Sequence, residues 1–216
     1  TSMGCDIGGS VIAHGLDNGD GGGTAANGQL ESGEVDYSTT FCTRSALMLI
    51  DIIDTYPGTT GSDPRDLTVF NNVLYFRADD GENGYELWKY DGVSFPSMVA
   101  NLQFASGSSW PSYLTVFNNE LYFKATTGAN GHELWKYDGV NAPSMVANIN
   151  PGSSNSYPED LTVFNNELYF SADDGTHGDE LWRYDGVNAP SMVADILSGS
   201  SNPDWLVVYN NAIYFS

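Results

Sequence analysis

Apolar and polar residues alternate along this chain in short runs, and the runs recur. From Leu67 the sequence reads Leu-Thr-Val-Phe, then Asn71-Asn72, then Val73 to Ala78, where Leu74, Phe76 and Ala78 fall on every second position. Period two over so few residues marks β-strands with one face packed more tightly than the other. Two Asn between such runs suit a type I′ hairpin turn, in which both central residues need φ > 0. A Gly-rich connection, Asp79 to Gly84, leads to a third run, Glu86 to Tyr90, and Asp91-Gly92 turns the chain into a fourth, Ser97 to Ala100. Each copy is predicted to be four short antiparallel strands.

The copies keep a fixed spacing. Trp88, Trp135 and Trp182 each close a Glu-Leu-Trp triplet and stand 47 residues apart. A period of this size with four strands per copy predicts one propeller blade per repeat; a linear β-solenoid, the rival, has a shorter period. The three tryptophans are the natural wedges between adjacent blades, each burying on the order of 200 Å². The fold class expected is therefore all-β: a propeller of about four four-stranded blades over residues 45–216, one of them incomplete or composite. A small loop-rich segment, residues 1–44, precedes it.

The incomplete blade comes from following the copies outward. Leu47 to Ile52 aligns with Ser97 to Leu102, so the repeats enter at a fourth strand. They leave with first and second strands, Leu206–Val208 and Ile213–Phe215, and no third. Three sources of that strand are open: a longer array from which this chain is clipped, residues 36–42 of the N-terminal segment, or a neighbouring subunit. A row of unpaired N–H and C=O groups is a template for pairing, and head-to-tail pairing that does not close gives filaments.

The run Glu86-Leu87-Trp88-Lys89-Tyr90-Asp91-Gly92 resembles the ELWxxDGT repeat of large secreted bacterial proteins, with Val93 where that family usually has Thr. The resemblance covers about residues 45–216. It implies an extracellular repeat scaffold and little about activity.

Residues 15–35 show no hydrophobic periodicity but follow the pattern of a calcium loop. Asp17 and Asp20 come first; Asn27, Gly28 and Gln29 sit where such a loop has a side-chain ligand, a tight turn and a carbonyl donor. Glu34 follows at the spacing of the bidentate glutamate. Residues 21–26 interrupt the loop, and an Asp/Gly-rich linker with solvated acids is the alternative. Cys5 and Cys42, the only cysteines, bracket this segment. They are read as a disulfide in an oxidising compartment, worth roughly 4 kcal/mol by loop closure, or else as two free thiols. The segment, with Cys5, Gly8-Gly9, the interrupted loop, Ser38-Thr39-Thr40 and Cys42, resembles a short module of bacterial surface proteins.

Composition narrows the partners. Twenty-eight Asp and Glu against 7 Lys and Arg give a formal charge of −21, which argues against nucleic acid and against an anionic membrane surface. The longest apolar run, Ala46 to Ile50, is too short to span a bilayer. A chain that does not begin with Met and shows no signal peptide is read as a processed or excised piece. The absence of an Asn-x-Ser/Thr sequon fits a bacterial secreted protein.

Catalytic chemistry finds little support. His132 shares a column with Tyr85 and Asp179, read as a tolerant surface position, and His177 shares one with Asn83 and Asn130. The pairs Asp79-Asp80 and Asp173-Asp174 become Thr126-Thr127 in the second copy, so they read as turn residues rather than glycosidase acids. Glu86, Glu133 and Glu180 are read as acceptors for backbone N–H groups of a neighbouring turn. Trp110, Tyr113, Tyr157 and Trp205 lie in the connections between copies. They could stack on sugar rings, although packing beneath the loops is the simpler reading. The function expected is a non-catalytic extracellular structural or adhesive module that associates with itself or with a cell-surface glycan or protein. A glycan-binding lectin is the alternative and a hydrolase the remote one.

Overall fold

The computed structural model describes residues 10–15, 35–41, 55, 61–103 and 107–216. The chain divides into two compact units, Thr1–Ile52 and Ile53–Ser216. Cys5, Cys42, Asp17, Asp20, Asn27, Gln29 and Glu34 all lie outside the described residues, as do residues 45–54 and with them the whole expected entry strand.

In the first unit, β1 (Ser10–Gly15) and β2 (Val35–Phe41) pair antiparallel, with Ser10 opposite Phe41 and His14 opposite Tyr37. Residues 36–41 thus belong to a strand, and its partner is β1.

Among its described residues the second unit holds three four-stranded antiparallel sheets and a two-stranded one. The first sheet is β3 (Arg65–Phe70), β4 (Val73–Asp79), β5 (Tyr85–Tyr90) and β6 (Ser97–Ala100). The second is β7 (Ser112–Phe117), β8 (Glu120–Thr126), β9 (His132–Tyr137) and β10 (Ser144–Ala147). The third is β11 (Glu159–Phe164), β12 (Glu167–Asp173), β13 (Asp179–Tyr184) and β14 (Ser191–Ala194). A hairpin of β15 (Val207–Tyr209) and β16 (Ala212–Tyr214) ends the series. All-β architecture in blade-like sheets, one strand after the next, is what the repeat pattern predicts.

The turns follow their chemistry. Asn118 and Asn119 sit at φ 47° and 58°, and the other three Asn-Asn pairs adopt the same left-handed geometry. The Asp-Gly turns are closed by the aspartate: Asp138 Oδ1 accepts from Val140 N and Asn141 N at 2.8 and 2.7 Å. Asp80 and Asp174 cap the β4–β5 and β12–β13 loops in the same way, each accepting from two backbone N–H groups. In the second sheet the Thr126 hydroxyl accepts from Gly128 N at 2.9 Å. The Asp pairs are turn caps, as their replacement by Thr implies.

Core packing lies between sheets. Phe70, Tyr75 and Leu87 of the first meet Phe123, Ala125 and Trp135 of the second. Phe117, Tyr122 and Leu134 of the second meet Phe170, Ala172 and Trp182 of the third. Trp135 and Trp182 are the wedges expected of them. At roughly 25 cal/mol per Å², each indole contributes about 5 kcal/mol before entropic costs.

Two further links tie neighbouring sheets. Thr68 Oγ1 donates to Leu114 O at 3.0 Å, Thr115 to Leu161 O at 3.2 Å, and Thr162 to Leu206 O at 3.1 Å. These hydroxyls join the first strands in sequence, and the series ends at Val207, which has no hydroxyl to donate. The second link is a buried carboxylate on each third strand. Glu133 accepts from Ile149 N at 2.8 Å and from the Ser156 hydroxyl at 2.6 Å. Glu86 and Glu180 hold Leu102 and Ser109, and Ile196 and Ser201, in the same fashion. The repeated glutamates therefore clamp each inter-sheet connection through its backbone, as read from sequence. Gly131 allows that connection to approach: at φ 68°, a Cβ there would lie 1.9 Å from Ser154 O.

Candidate functional site

Each first strand begins with an irregularity. Asp66, Tyr113, Asp160 and Trp205 take φ between 53° and 59°, a region costly for residues other than Gly. In β3, β7 and β11 the strand register shifts at this residue. A bulge of this kind re-aims a side chain. Here the four residues line a cavity of about 630 Å³, together with Leu and Thr residues of β3, β7 and β11 and with Leu206 and Val207. Asp66 accepts from Tyr113 N at 3.1 Å, and Asp160 accepts from Trp205 N. The Tyr113 hydroxyl turns to Glu159 at 3.2 Å, and burial followed by that carboxylate pushes its pKa far above the ordinary phenol value.

The four candidate aromatics thus fall into two pairs. Tyr113 and Trp205 line this cavity, Tyr113 half-buried and Trp205 76% exposed. Trp110 and Tyr157, about half exposed, stand instead at the notches between sheets. Trp110 stacks on Tyr85 with ring centroids 4.6 Å apart, and Tyr157 on His132 at 5.3 Å. They neither lie bare nor pack wholly beneath the loops. His132 is accordingly not at a tolerant surface position. It is half-buried against Tyr157, and burial, then the nearby Lys124 ammonium, depresses its pKa.

Sequence reasoning passed over the residues that complete these notches. The Arg77 guanidinium lies 5.7 Å from the Tyr85 ring and 5.9 Å from Trp110, and pairs with Asp66 at 3.5 Å. The Lys124 ammonium lies 4.9 Å from the Tyr113 ring and 5.5 Å from Tyr157, and pairs with Glu159 at 2.5 Å. Both belong to one column of the second strand, Arg77, Lys124 and Ser171 in the three complete copies. The available signal was that this column changes among those copies while the Phe and Ala on either side of it do not.

His177 caps its own loop: its Nδ1 lies 2.8 Å from Asp174 Oδ2, and that hydrogen bond raises the imidazole pKa. Among the described residues, no three His, Cys, Asp or Glu side chains converge as a metal site requires.

No family model and no curated protein matches the chain. One solved structure similar to it is the computationally designed Ika8 protein (crystal packing No.1 in P63). The two share 15% identity with a TM-score of 0.43, over 74% of this chain. The chain spans 44% of the designed protein's length.

Proposed function

We propose that this chain is a non-catalytic extracellular structural or adhesive module, a β-propeller scaffold of the ELWxxDGT type, that assembles by strand pairing between copies. The observation that carries this reading is the hairpin β15–β16. Among the described residues β16 has β15 as its one neighbour, and Tyr214 and Phe215 beside it are 52% and 41% exposed. Their equivalents in the second sheet, Tyr122 and Phe123, are fully buried under a third strand and a following sheet. An apolar hairpin whose edge has no neighbour among the described residues suits a strand donated by a second copy. In this reading Cys5 and Cys42 form a disulfide, and the acidic loop from Asp17 to Glu34 binds calcium.

Negative-stain microscopy over a concentration series tests the assembly. Chains of particles that lengthen with concentration, and are lost in Phe215→Lys, are expected; discrete single particles at the highest concentration sink the idea. For calcium, melting with and without EDTA should differ by several degrees, and superimposable curves remove the metal from the proposal.

One observation favours a second reading, glycan binding. Trp205 presents an open indole face beside Tyr113 in the cavity between the first strands, and such surfaces stack on sugar rings. A glycan array without a hit disposes of it.

A further inference from the structure

The three complete copies are so alike that the few positions differing in all of them stand out. Between the opening serines (Ser62, Ser109, Ser156) and the SMVA strands, these are Asp63/Trp110/Tyr157, Arg65/Ser112/Glu159, Arg77/Lys124/Ser171, Glu82/Ala129/Thr176 and Tyr85/His132/Asp179. All but the Glu82 column converge on the notch between one sheet and the next. The backbone frame of that notch is constant: Trp110 N donates to Tyr85 O, Tyr157 N to His132 O, and Asn202 N to Asp179 O, at 3.1–3.2 Å. One frame therefore carries three different fillings.

The first two fillings share a plan. A pair of stacked rings spans the notch, a cation from the second strand lies against at least one of them, and a carboxylate neutralises the cation. In the third, Ser171 stands in the cation's column, and Asp179 and Asn202 stand where the stacked rings were. The space so vacated is a cavity of about 390 Å³, bounded by Tyr157, Glu159, Ser171, Asp179, Asn202 and Asp204. Of its three carboxylates, Glu159 is already paired with Lys124. Asp179 and Asp204 are in none of the ion pairs formed among the described residues.

We propose that this third notch binds the guanidinium or ammonium group of an organic ligand, in the place that Arg77 and Lys124 occupy in the other two. The Tyr157 ring, which lines the cavity and also lies 5.5 Å from the Lys124 ammonium, supplies a wall for the cation. Asp179 and Asp204 supply the counter-charge, and the Ser171 hydroxyl and Asn202 amide are available to the remaining N–H donors. The cavity lies within the range of small-ligand sites, about 300–1,000 Å³. Burial and the neighbouring Asp173 hold the Asp179 pKa above its ordinary value, a penalty that a bound cation relieves. The site is independent of the assembly proposed above, because it uses none of the residues of the free β16 edge.

The test is a titration of the intact protein, followed by calorimetry and by ¹H–¹⁵N spectra, with two probes. Agmatine stands for a free organic cation, and a short uncharged-flank peptide with a single arginine stands for a protein side chain. Saturable binding of either is expected. A tighter peptide assigns the site to a protein partner, and agmatine at least as tight assigns it to a small molecule. Ser171→Arg, which rebuilds the first notch's filling, should abolish binding while leaving melting unchanged or raised. Asp179→Asn should weaken binding about fivefold, the scale of one partly exposed charge pair, and it covers the case in which Ser171→Arg folds poorly. Asp138→Asn, on a distant exposed turn, should bind as the parent does. The proposal is overturned if neither probe binds, if N-butylurea binds as well as agmatine, if Asp138→Asn weakens binding as much as Asp179→Asn, or if Ser171→Arg folds and still binds.

Discussion

The second sheet and the β15–β16 hairpin are built from nearly the same residues and differ in what surrounds them. Leu121-Tyr122-Phe123 is wholly buried, whereas Ile213-Tyr214-Phe215 lies open to solvent to varying degrees. The second sheet has a complete sheet on either side, so both faces of β8 are covered. The hairpin has the third sheet beside it and, among the described residues, no third strand of its own. Local sequence sets the strand, and neighbours set its burial. A similar contrast holds at the other end of the series: Leu67 of β3 is 58% exposed, and Leu114 of β7 is 8% exposed.

The sharpest way to break that contrast is to delete the same ring in both places. Phe123→Ala removes a side chain packed against Phe70 and Leu87 and should cost about 3–5 kcal/mol in chemical denaturation. Phe215→Ala should cost less than about 1 kcal/mol in the monomer, since much of that ring is already in water. Equal losses would mean that the hairpin is covered in solution.

The next effect concerns the clamps. Glu133→Ala leaves Ile149 N and the Ser156 hydroxyl without their acceptor in a buried site, which should cost about 1–3 kcal/mol. Glu180→Ala should cost less, because its partners Ile196 and Ser201 lie closer to solvent at the hairpin end. Urea melts of both variants against the parent provide the measurement, and a larger loss for Glu180→Ala would reverse the ordering argued here.

Much of this was written in the sequence for a physical reason. Period two, Asn-Asn pairs and Asp-Gly turns act over a few residues, so the strands and the left-handed turns could be placed within one or two residues of where they lie. The glutamates were legible because a charge fixed before an apolar Leu-Trp must find donors nearby. The bulge at Asp66, Tyr113, Asp160 and Trp205 was not legible, since neither Tyr nor Trp announces a positive φ. Nor were the notches, because Tyr85 meets Trp110 and Lys124 meets Glu159 only after sheets stack. In the third notch the informative feature is small residues where the other copies have large ones, and a single column cannot show that this leaves a cavity.

A smaller effect should be the same in both regions. Asn118→Ala and Asn210→Ala each remove the short polar side chain that lets Asn tolerate φ near 45–47°, at about 1–2 kcal/mol. Because the turn is local, the two losses in melting experiments should agree; a clear difference between them would show that the hairpin turn is strained or relieved by its surroundings.

The smallest effect is a slope with pH, and it separates equivalent carboxylates by sign. Burial raises the Glu133 pKa, and the N–H and hydroxyl donors from Ser156, Ile149 and Asn150 offset this in part. Burial also acts to raise Glu180, but there the donors from Ile196, Leu197 and Ser201 prevail and the pKa falls below its ordinary value. A carboxyl raised in the fold contributes its full share of stability below its unfolded pKa, near 4.5, and loses that share as pH rises through the folded value. A depressed one contributes above 4.5 and loses that contribution as pH falls through its folded value. Glutamine fixes each site in a neutral form, which isolates the titration from the rest of a chain with charge −21. The stability of the parent relative to Glu133→Gln should therefore decline from acid toward neutral pH, and relative to Glu180→Gln it should climb. Parallel slopes would mean that the donors around Glu180 outweigh burial no more than those around Glu133 do, and the contrast between the two regions would then stop at the apolar side chains.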